Sequence, residues 1–204
     1  MGLAHRFWKR VRPADLPWPG CCHRKFVFKG YLGRVIDAVG DARQSTYIIM
    51  ISDHGENAIE HRLAGKNNMY DSASRVVMMI SGPSIKPNQV ISDYASLNDV
   101  FPTVLAMAGI VMPTDRQYAG RSLLPLIDGT AGGDPDRKDY VIAQYHSVAS
   151  ITGAWMVRKG DHKLMMFGPN RFDPDFAPQL FNLAQVMTPP GPGPFWNPPS
   201  FSLG

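Results

Sequence analysis

Residues 47–60 read YIIMISDHGENAIE, an apolar run that ends abruptly in an acid, a histidine and a glycine. The run alternates too little for a half-exposed strand, and it predicts a strand buried on both faces, as in a parallel sheet. In open α/β sheets, ligands bind beyond the carboxyl ends of such strands. We therefore expect Asp53 and His54 side by side at the carboxyl end of a parallel strand, with Gly55 turning the backbone away. A solvated junction between a strand and a loop would carry the same three residues, so the rest of the chain has to decide.

Composition restricts the class of protein. The 204 residues are enough for one domain or one and a half, and 44% of them are apolar, which excludes wholesale disorder. The net charge of +4 is mild, and no nucleic-acid motif accompanies the basic residues near the start of the chain, so no nucleic-acid partner is expected. The two cysteines are neighbours, which suits neither a disulfide framework nor a zinc site. No run has the length of a membrane span, and no signal peptide opens the sequence.

Hydrophobic patterning predicts alternating helices and strands followed by a small sheet. Apolar spacing predicts a helix over 25–39 that Gly40 closes, and a second buried strand over 75–80. A helix over 96–108 is expected, with Ser96 as its N-cap and Gly109 at its carboxyl end. Three strand-like runs, at 140–145, 155–158 and 163–167, then predict an antiparallel sheet.

Composition changes along the chain suggest four segments. Residues 1–24 are irregular and basic, and residues 25–129 carry the alternating helices and strands. Residues 130–185, beginning in a polar glycine-rich linker, form the small sheet. Residues 186–204 are dominated by proline and glycine, which predicts a disordered tail.

The residues after the histidine supply a longer pattern. Lys66 follows His54 by twelve residues, Tyr70 and Asp71 come next, and a strand then opens with an Arg-Val pair at 75–76. This order resembles the sulfatase family of the alkaline-phosphatase-like superfamily. There, the last metal-binding strand ends in an Asp-Asn or Asp-His pair, and a lysine, a tyrosine and an acid follow. The segments LNDVFPTVLAMAGI, YAGRSLLPLIDG and PQLFNL resemble the family's next helix, the loop that closes its large domain and its C-terminal signature.

The resemblance implies a fold and a set of roles. The fold would be α/β: part of an alkaline-phosphatase-like mixed or parallel sheet with flanking helices, plus a small C-terminal antiparallel sheet. Asp53 and His54 would be metal ligands for Ca²⁺, and Lys66 would offer its ammonium to a sulfate oxygen. His61 and His146 would contact the substrate, a sulfate ester that extends to a sulfated glycan. The plainer interpretations are a solvated loop lysine for Lys66 and a structural histidine for His146.

The reactive group of a sulfatase is missing from the sequence. The family makes a formylglycine from a C/S-x-P-x-R motif, and its hydrate attacks sulfur. No such motif occurs in the 204 residues. We therefore expect a fragment of a longer sulfatase or a diverged relative, with an incomplete Ca²⁺ site, no catalytic nucleophile and no activity alone. The family is lysosomal or secreted.

Two other functions remain open. A zinc phosphodiesterase or phosphomutase of the same superfamily would use Asp53 and His54 on zinc, with His146 as a further ligand, because zinc prefers nitrogen donors. A non-catalytic binding protein on the sulfatase scaffold would bind a substrate analogue without turnover. Bound calcium supports the sulfatase, and two zinc ions support the first alternative.

Overall fold

The structure, a computed structural model, describes residues 30–129, 134–147, 150, 152–169 and 177–186. Contacts divide the chain into two compact units, one of residues 1–49 and 80–90 and the other of residues 50–79 and 91–204. The predicted basic N-terminus lies outside the described residues, and so does the predicted tail beyond residue 186.

The first described element is the later part of the predicted helix over 25–39, whose residues 25–29 lie outside the described residues. Helix α1 spans residues 30–39 and continues into a 3₁₀ helix, Gly40–Gln44. Gly40 has a φ of 53°, a left-handed conformation that costs glycine little, so it changes the backbone direction where α1 was expected to end.

Strands β1 (Ile48–Ile51) and β4 (Met78–Ser81) form a two-stranded sheet. A Cβ on Gly82 would lie 3.0 Å from the Tyr47 Cα, and the Ser52 N–H donates to the Val77 carbonyl at 3.3 Å. Tyr47, before β1, thus lies beside Gly82, after β4. Ser52, after β1, lies beside Val77, before β4. The pair is antiparallel, so it does not supply the parallel partner that the sequence predicts. Strand β1 is also half-buried with Ile51 exposed, whereas the sequence predicts burial on both faces; β4 is its one partner strand among the described residues.

The chain between these two strands is compact and contains little regular structure. Strands β2 (Asn57–Ala58) and β3 (Ala64–Gly65) form an antiparallel hairpin, with a 3₁₀ turn at Glu60–Arg62. Helix α2 follows as a single turn, Asp71–Ser74, immediately before β4.

The predicted helix over 96–108 is confirmed. It begins as a 3₁₀ turn, Leu97–Asp99, and continues as helix α3, Val100–Met107. Ser96 is the N-cap: its side chain accepts the Asn98 N–H, and its own N–H donates to the Asp99 carboxylate, which completes a capping box. Gly109 follows the helix with a φ of 68°, as its predicted position requires.

Asp99 joins this helix to the segment that follows it. Its Oδ1 accepts the Arg121 N–H at 2.8 Å, and its Oδ2 accepts the Ser96 N–H at 2.9 Å and Arg137 Nη1 at 3.0 Å. The Asp99 and Arg137 side chains are 7% and 10% exposed. Both residues are therefore charged groups that the fold has removed from water and paired with each other. Helix α4 (Leu124–Ile127) follows this junction.

The C-terminal residues form the predicted antiparallel sheet, in the order β5-β6-β7-β8. The strands are β5 (Val141–Tyr145), β6 (Ala154–Lys159), β7 (His162–Phe167) and β8 (Gln179–Asn182). The segment PQLFNL supplies β8, which the sequence pattern did not identify as a strand, and helix α5 (Leu183–Val186) follows it. A buried core on one face of this sheet contains Met69, Ala154, Met156 and Met165, with Tyr70 and Phe181 packed against it. Among the described residues, no helix is both long and apolar enough to cross a membrane.

Candidate active site

The turn after β1 fixes the backbone of the Asp-His-Gly sequence. The Ser52 hydroxyl donates to the His54 carbonyl at 2.6 Å, and the Gly55 N–H donates to the Ala73 carbonyl of α2 at 2.8 Å. A Cβ on Gly55 would lie 1.9 Å from the Ser72 carbonyl oxygen. Glycine is therefore required here because the turn packs directly against the backbone of α2.

The hydrogen bonds of His54 determine which ring nitrogen carries the proton. His54 Nδ1 lies 2.8 Å from the Gly55 carbonyl, which can only accept a hydrogen bond, so Nδ1 is protonated. In the neutral imidazole, Nε2 then has a lone pair. It lies 3.3 Å from Asp53 Oδ2, so the two side chains present a nitrogen and an oxygen to the same space.

Asp53 is the more exposed member of this pair. Its side chain is 84% exposed, whereas that of His54 is 37% exposed. The His54 N–H donates to Asp53 Oδ1 at 3.0 Å, and this bond is the main cause that lowers the pKa of the Asp53 carboxyl, with the Lys66 charge acting in the same direction. Asp53 is consequently a carboxylate at neutral pH, the form that a hard cation binds.

Lys66 joins the pair from the end of the β2–β3 hairpin. Its Nζ lies 2.5 Å from His54 Nε2. The hairpin is held at its base by the buried Asn57, whose Nδ2 donates to the Gly65 carbonyl at 2.7 Å. The structure thus brings together three of the five residues that the sequence predicts for the site, and places a carboxylate, an imidazole and an ammonium side by side.

His61 lies at the tip of the same hairpin, in an unusual conformation. His61 and Arg62 have φ values of 53° and 59°, and Ile59 has 70°, all in the left-handed region that side chains disfavour. The His61 ring stacks on the Tyr70 ring, with centroids 3.9 Å apart and planes 14° apart. The contact described for its ring is therefore with Tyr70, and a role in substrate binding stays a prediction.

His146 follows β5, as expected, and packs within the C-terminal sheet. Its ring meets the Trp155 ring edge to face at 5.0 Å, and a Cβ on Gly153 would lie 2.4 Å from His146 Cε1. These contacts suit a structural histidine. Its predicted place beside the substrate remains a prediction.

Sequence reasoning missed the ion pairs that hold α2. Lys163 of β7 is 2% exposed, and its Nζ donates to Asp71 Oδ1 at 2.6 Å. Burial lowers the pKa of the Lys163 ammonium, although its hydrogen bond to Asp71 opposes this effect. Arg158 of β6 donates to the other carboxylate oxygen at 3.1 Å. The one sequence signal was a lysine opening the otherwise apolar run KLMMF, where a charged side chain needs a buried partner.

The donor chemistry of Asp53 and His54 suits part of a metal site. A carboxylate oxygen and an imidazole lone pair 3.3 Å apart can both reach one divalent cation. Calcium takes 6–8 oxygen ligands, more than this pair supplies. In the part of the chain that the structure describes, no group of three or more His, Cys, Asp and Glu side chains is arranged to hold a metal ion.

Known proteins are similar to this chain in sequence and in fold. Residues 30–110 match the sulfatase family model. Arylsulfatase K of Xenopus laevis is 32% identical over 162 residues, which cover 76% of this chain and 29% of the relative. The chain therefore spans about three tenths of the length of the curated relatives it matches.

Two solved structures extend the likeness to three dimensions. A phosphonate monoester hydrolase from Silicibacter pomeroyi is 25% identical with a TM-score of 0.64, and the match covers 76% of this chain and 32% of that one. The protein BT4656, solved with its substrate D-glucosamine-2-N,6-O-disulfate, is 24% identical with a TM-score of 0.63, covering 77% and 31%. At 24% identity, the likeness to BT4656 concerns the fold alone. Together they confirm the predicted fold class, including the small antiparallel sheet.

Proposed function

Because this chain belongs to the sulfatase family, we propose that it carries part of the active site of an arylsulfatase-like sulfuric ester hydrolase. The observation that supports the proposal is the meeting of Asp53, His54 and Lys66, in which the lysine lies 2.5 Å from the histidine and the histidine 3.3 Å from the acid. In this proposal residues 25–129 belong to the catalytic domain, and residues 130–185 form the small subdomain that accompanies it.

Each member of the cluster has a chemical role in the cleavage of a sulfate monoester. Asp53 and His54 would supply two of the ligands of a calcium ion, which when bound neutralises charge on sulfate oxygens. Lys66 would direct its ammonium at a sulfate oxygen as negative charge develops there. The Nδ1–H bond to the Gly55 carbonyl keeps His54 in the tautomer whose Nε2 can bind the metal.

Lys66 has to move for this chemistry to occur. Its ammonium lies against the Nε2 lone pair, which is the position a metal ion would take. Two cations cannot share that position without strong repulsion. In this proposal Nε2 of His54 would be a ligand of the metal, and the Lys66 ammonium would face the anion instead of Nε2.

The substrate is proposed to be a sulfate ester of a sugar. His61 and His146 are the candidate contacts with the sugar, and a disulfated glucosamine of the kind bound by BT4656 is the first compound to test. In a chain to which the nucleophile has been supplied, removal of sulfate from this compound, compared with removal from an aryl sulfate, would separate a glycan sulfatase from an enzyme selective for aryl esters.

The 204-residue polypeptide alone is expected to release no sulfate. Nucleophilic catalysis by the family needs the formylglycine hydrate, and the polypeptide has no C/S-x-P-x-R motif from which to make it. The Asp53→Ala variant should consequently match the parent chain in an arylsulfate assay, at the blank rate. Sulfate release by the purified polypeptide, lost on Asp53→Ala, would refute this proposal.

The same substitution has a different expected result where the nucleophile is supplied. In a chimera that adds the unmatched remainder of Xenopus arylsulfatase K, Asp53→Ala should abolish turnover by removing a metal ligand, and bound calcium should fall with it. Asp93→Ala, at an exposed loop aspartate, serves as the matched control and should retain activity. Full turnover by the Asp53→Ala chimera would remove Asp53 from the site.

Binding of sulfate tests Lys66 independently of turnover. Lys66→Met is expected to weaken sulfate binding about threefold, because one charge-assisted contact is lost at an exposed position. The measurement is a sulfate titration followed by the NMR signals of His54, at constant ionic strength. Lys86→Met, which removes the same charge from an exposed loop, should leave the titration unchanged. Equal titrations for both variants would contradict the role of Lys66.

A zinc phosphodiesterase, phosphomutase or phosphonate hydrolase is the second candidate. The imidazole of His54 beside the Asp53 carboxylate favours it because zinc prefers imidazole nitrogen, and a phosphonate monoester hydrolase has a similar fold. Metal analysis of the chimera separates the two candidates: calcium supports the sulfatase, and zinc supports the phosphoester enzyme. A non-catalytic binding protein would instead bind sulfated sugar with no turnover of either ester class.

A further inference from the structure

The Lys163 ammonium contacts both ends of helix α2. It donates to Asp71 Oδ1 at the first residue, at 2.6 Å, and lies 3.4 Å from the Ser74 hydroxyl at the last. The lysine is 2% exposed, so these contacts replace its hydration. The one buried ammonium therefore contacts the first and the last residue of this four-residue helix.

Arg158 and Lys163 stand directly opposite each other on β6 and β7. Two like charges at a cross-strand position repel, and the arrangement is unfavourable unless an anion lies between them. Asp71 is that anion, since each of its carboxylate oxygens accepts from one of the two cations. The sheet thus presents a pair of cations that fixes where the Asp71 end of α2 must lie.

Helix α2 in turn holds both segments of the candidate site. Its Ala73 carbonyl accepts the Gly55 N–H, next to His54. Its Ser72 hydroxyl donates to the Asn57 side chain, which itself donates to the Gly65 carbonyl next to Lys66. Displacement of α2 would therefore change the position of His54 and of Lys66 together.

We propose that Lys163, although it lies on the C-terminal sheet, is a positioning residue for the cluster of Asp53, His54 and Lys66, acting through Asp71 and α2. The catalytic meaning of this inference rests on the proposed function. The positions of Lys163, α2 and the cluster can be tested without turnover. A contribution to stability alone is a weak explanation, because the burial of Lys163 costs much of what its pairing with the 37% exposed Asp71 contributes. A fixed location for α2 is what the charges provide.

The test compares Lys163→Met with Lys159→Met. Lys159 lies on the neighbouring strand and pairs with Asp139 at 2.8 Å, with both side chains exposed, so the same substitution there removes a charge without touching α2.

Two measurements on the labelled full chain without ligand report on the site: hydrogen exchange at the Gly55 amide, and the ¹⁵N shifts of His54 that identify its tautomer. In Lys163→Met, Gly55 exchange should accelerate at least about tenfold relative to the β6 amides, and the His54 signals should move toward a mixture of tautomers. Lys159→Met should change neither, and Lys163→Arg, which keeps the cation, should restore most of the parent signals.

Two results would overturn the proposal. One is a Lys163→Met chain whose Gly55 exchange and His54 signals equal those of Lys159→Met. The other is acceleration of the β6 and β7 amides by the same factor as Gly55, which would indicate general destabilisation. If Lys163→Met does not fold, Asp71→Asn replaces it, since an amide keeps the shape and loses the charge, and the same two results decide. A chain that passes this test while its chimera cleaves no sulfate ester would refute the proposed function and leave the positioning role standing.

Discussion

Replacing Asp99 with alanine is expected to lower the free energy of unfolding by about 3–5 kcal/mol. The Asp99 carboxylate accepts the backbone N–H groups of Ser96 and Arg121 and the guanidinium of Arg137. Alanine would leave the buried Arg137 charge without its carboxylate and two backbone N–H groups without an acceptor. The measurement is urea denaturation followed by tryptophan fluorescence.

Asp115 provides the control for this substitution. It also pairs with an arginine, Arg116, at 3.0 Å, but the side chains are 55% and 70% exposed, so water replaces the lost contacts. Asp115→Ala should unfold at the same urea concentration as the parent chain, within error. An equal decrease in the free energy of unfolding for Asp99→Ala and Asp115→Ala would mean that Asp99 and Arg137 are not buried together as described.

The second large effect is expected at Gly55. Alanine would place its Cβ within 1.9 Å of the Ser72 carbonyl, and since that atom belongs to the backbone of α2, the turn and the helix have to separate. The expected cost is about 3 kcal/mol, at the upper end of the range for overpacking, with loss of the hydrogen bond from Gly55 to Ala73. Hydrogen exchange at the Gly55 amide measures the lost hydrogen bond, and thermal unfolding measures the loss of stability.

The same substitution at Gly33 should have the opposite sign. Gly33 lies within α1, and apart from its own helix backbone no atom of the described residues lies within 4 Å of the position that an alanine methyl group would take there. Alanine is favoured over glycine inside a helix by about 1 kcal/mol. Gly33→Ala should therefore unfold at a slightly higher temperature than the parent. A Gly55→Ala chain as stable as the parent would show that the turn does not pack on α2.

The elements that sequence reasoning predicted well are those with local signals. The helix after Ser96 has a capping box at one end and a glycine at the other, and the strands of the C-terminal sheet are apolar runs separated by turns. These signals depend on neighbours in the sequence, so a single chain is enough to recognise them.

The direction of β1 and the anchoring of α2 depend on distant residues. Nothing in the run from Ile48 to Ile51 specifies whether its partner strand is parallel, because both pairings accept the same apolar side chains. The Lys163 and Asp71 pair spans 92 positions, and the stack of His61 on Tyr70 needs left-handed backbone that no residue type at 59–62 announces. For the candidate site, the pattern names Asp53, His54 and Lys66, which lie together, whereas the contacts of this segment with α2 and of α2 with the C-terminal sheet join residues far apart in the sequence.

The antiparallel pairing of β1 with β4 has a consequence for how this region can evolve. All residues from Asp53 to Arg75 lie between two strands whose near ends are joined by the hydrogen bond from Ser52 to Val77. The entropy of closing such a loop grows only slowly with its length, so insertions at the hairpin tip should cost the fold little. Related chains can therefore lengthen or shorten the tip around His61 while the segments that carry His54 and Lys66 stay fixed.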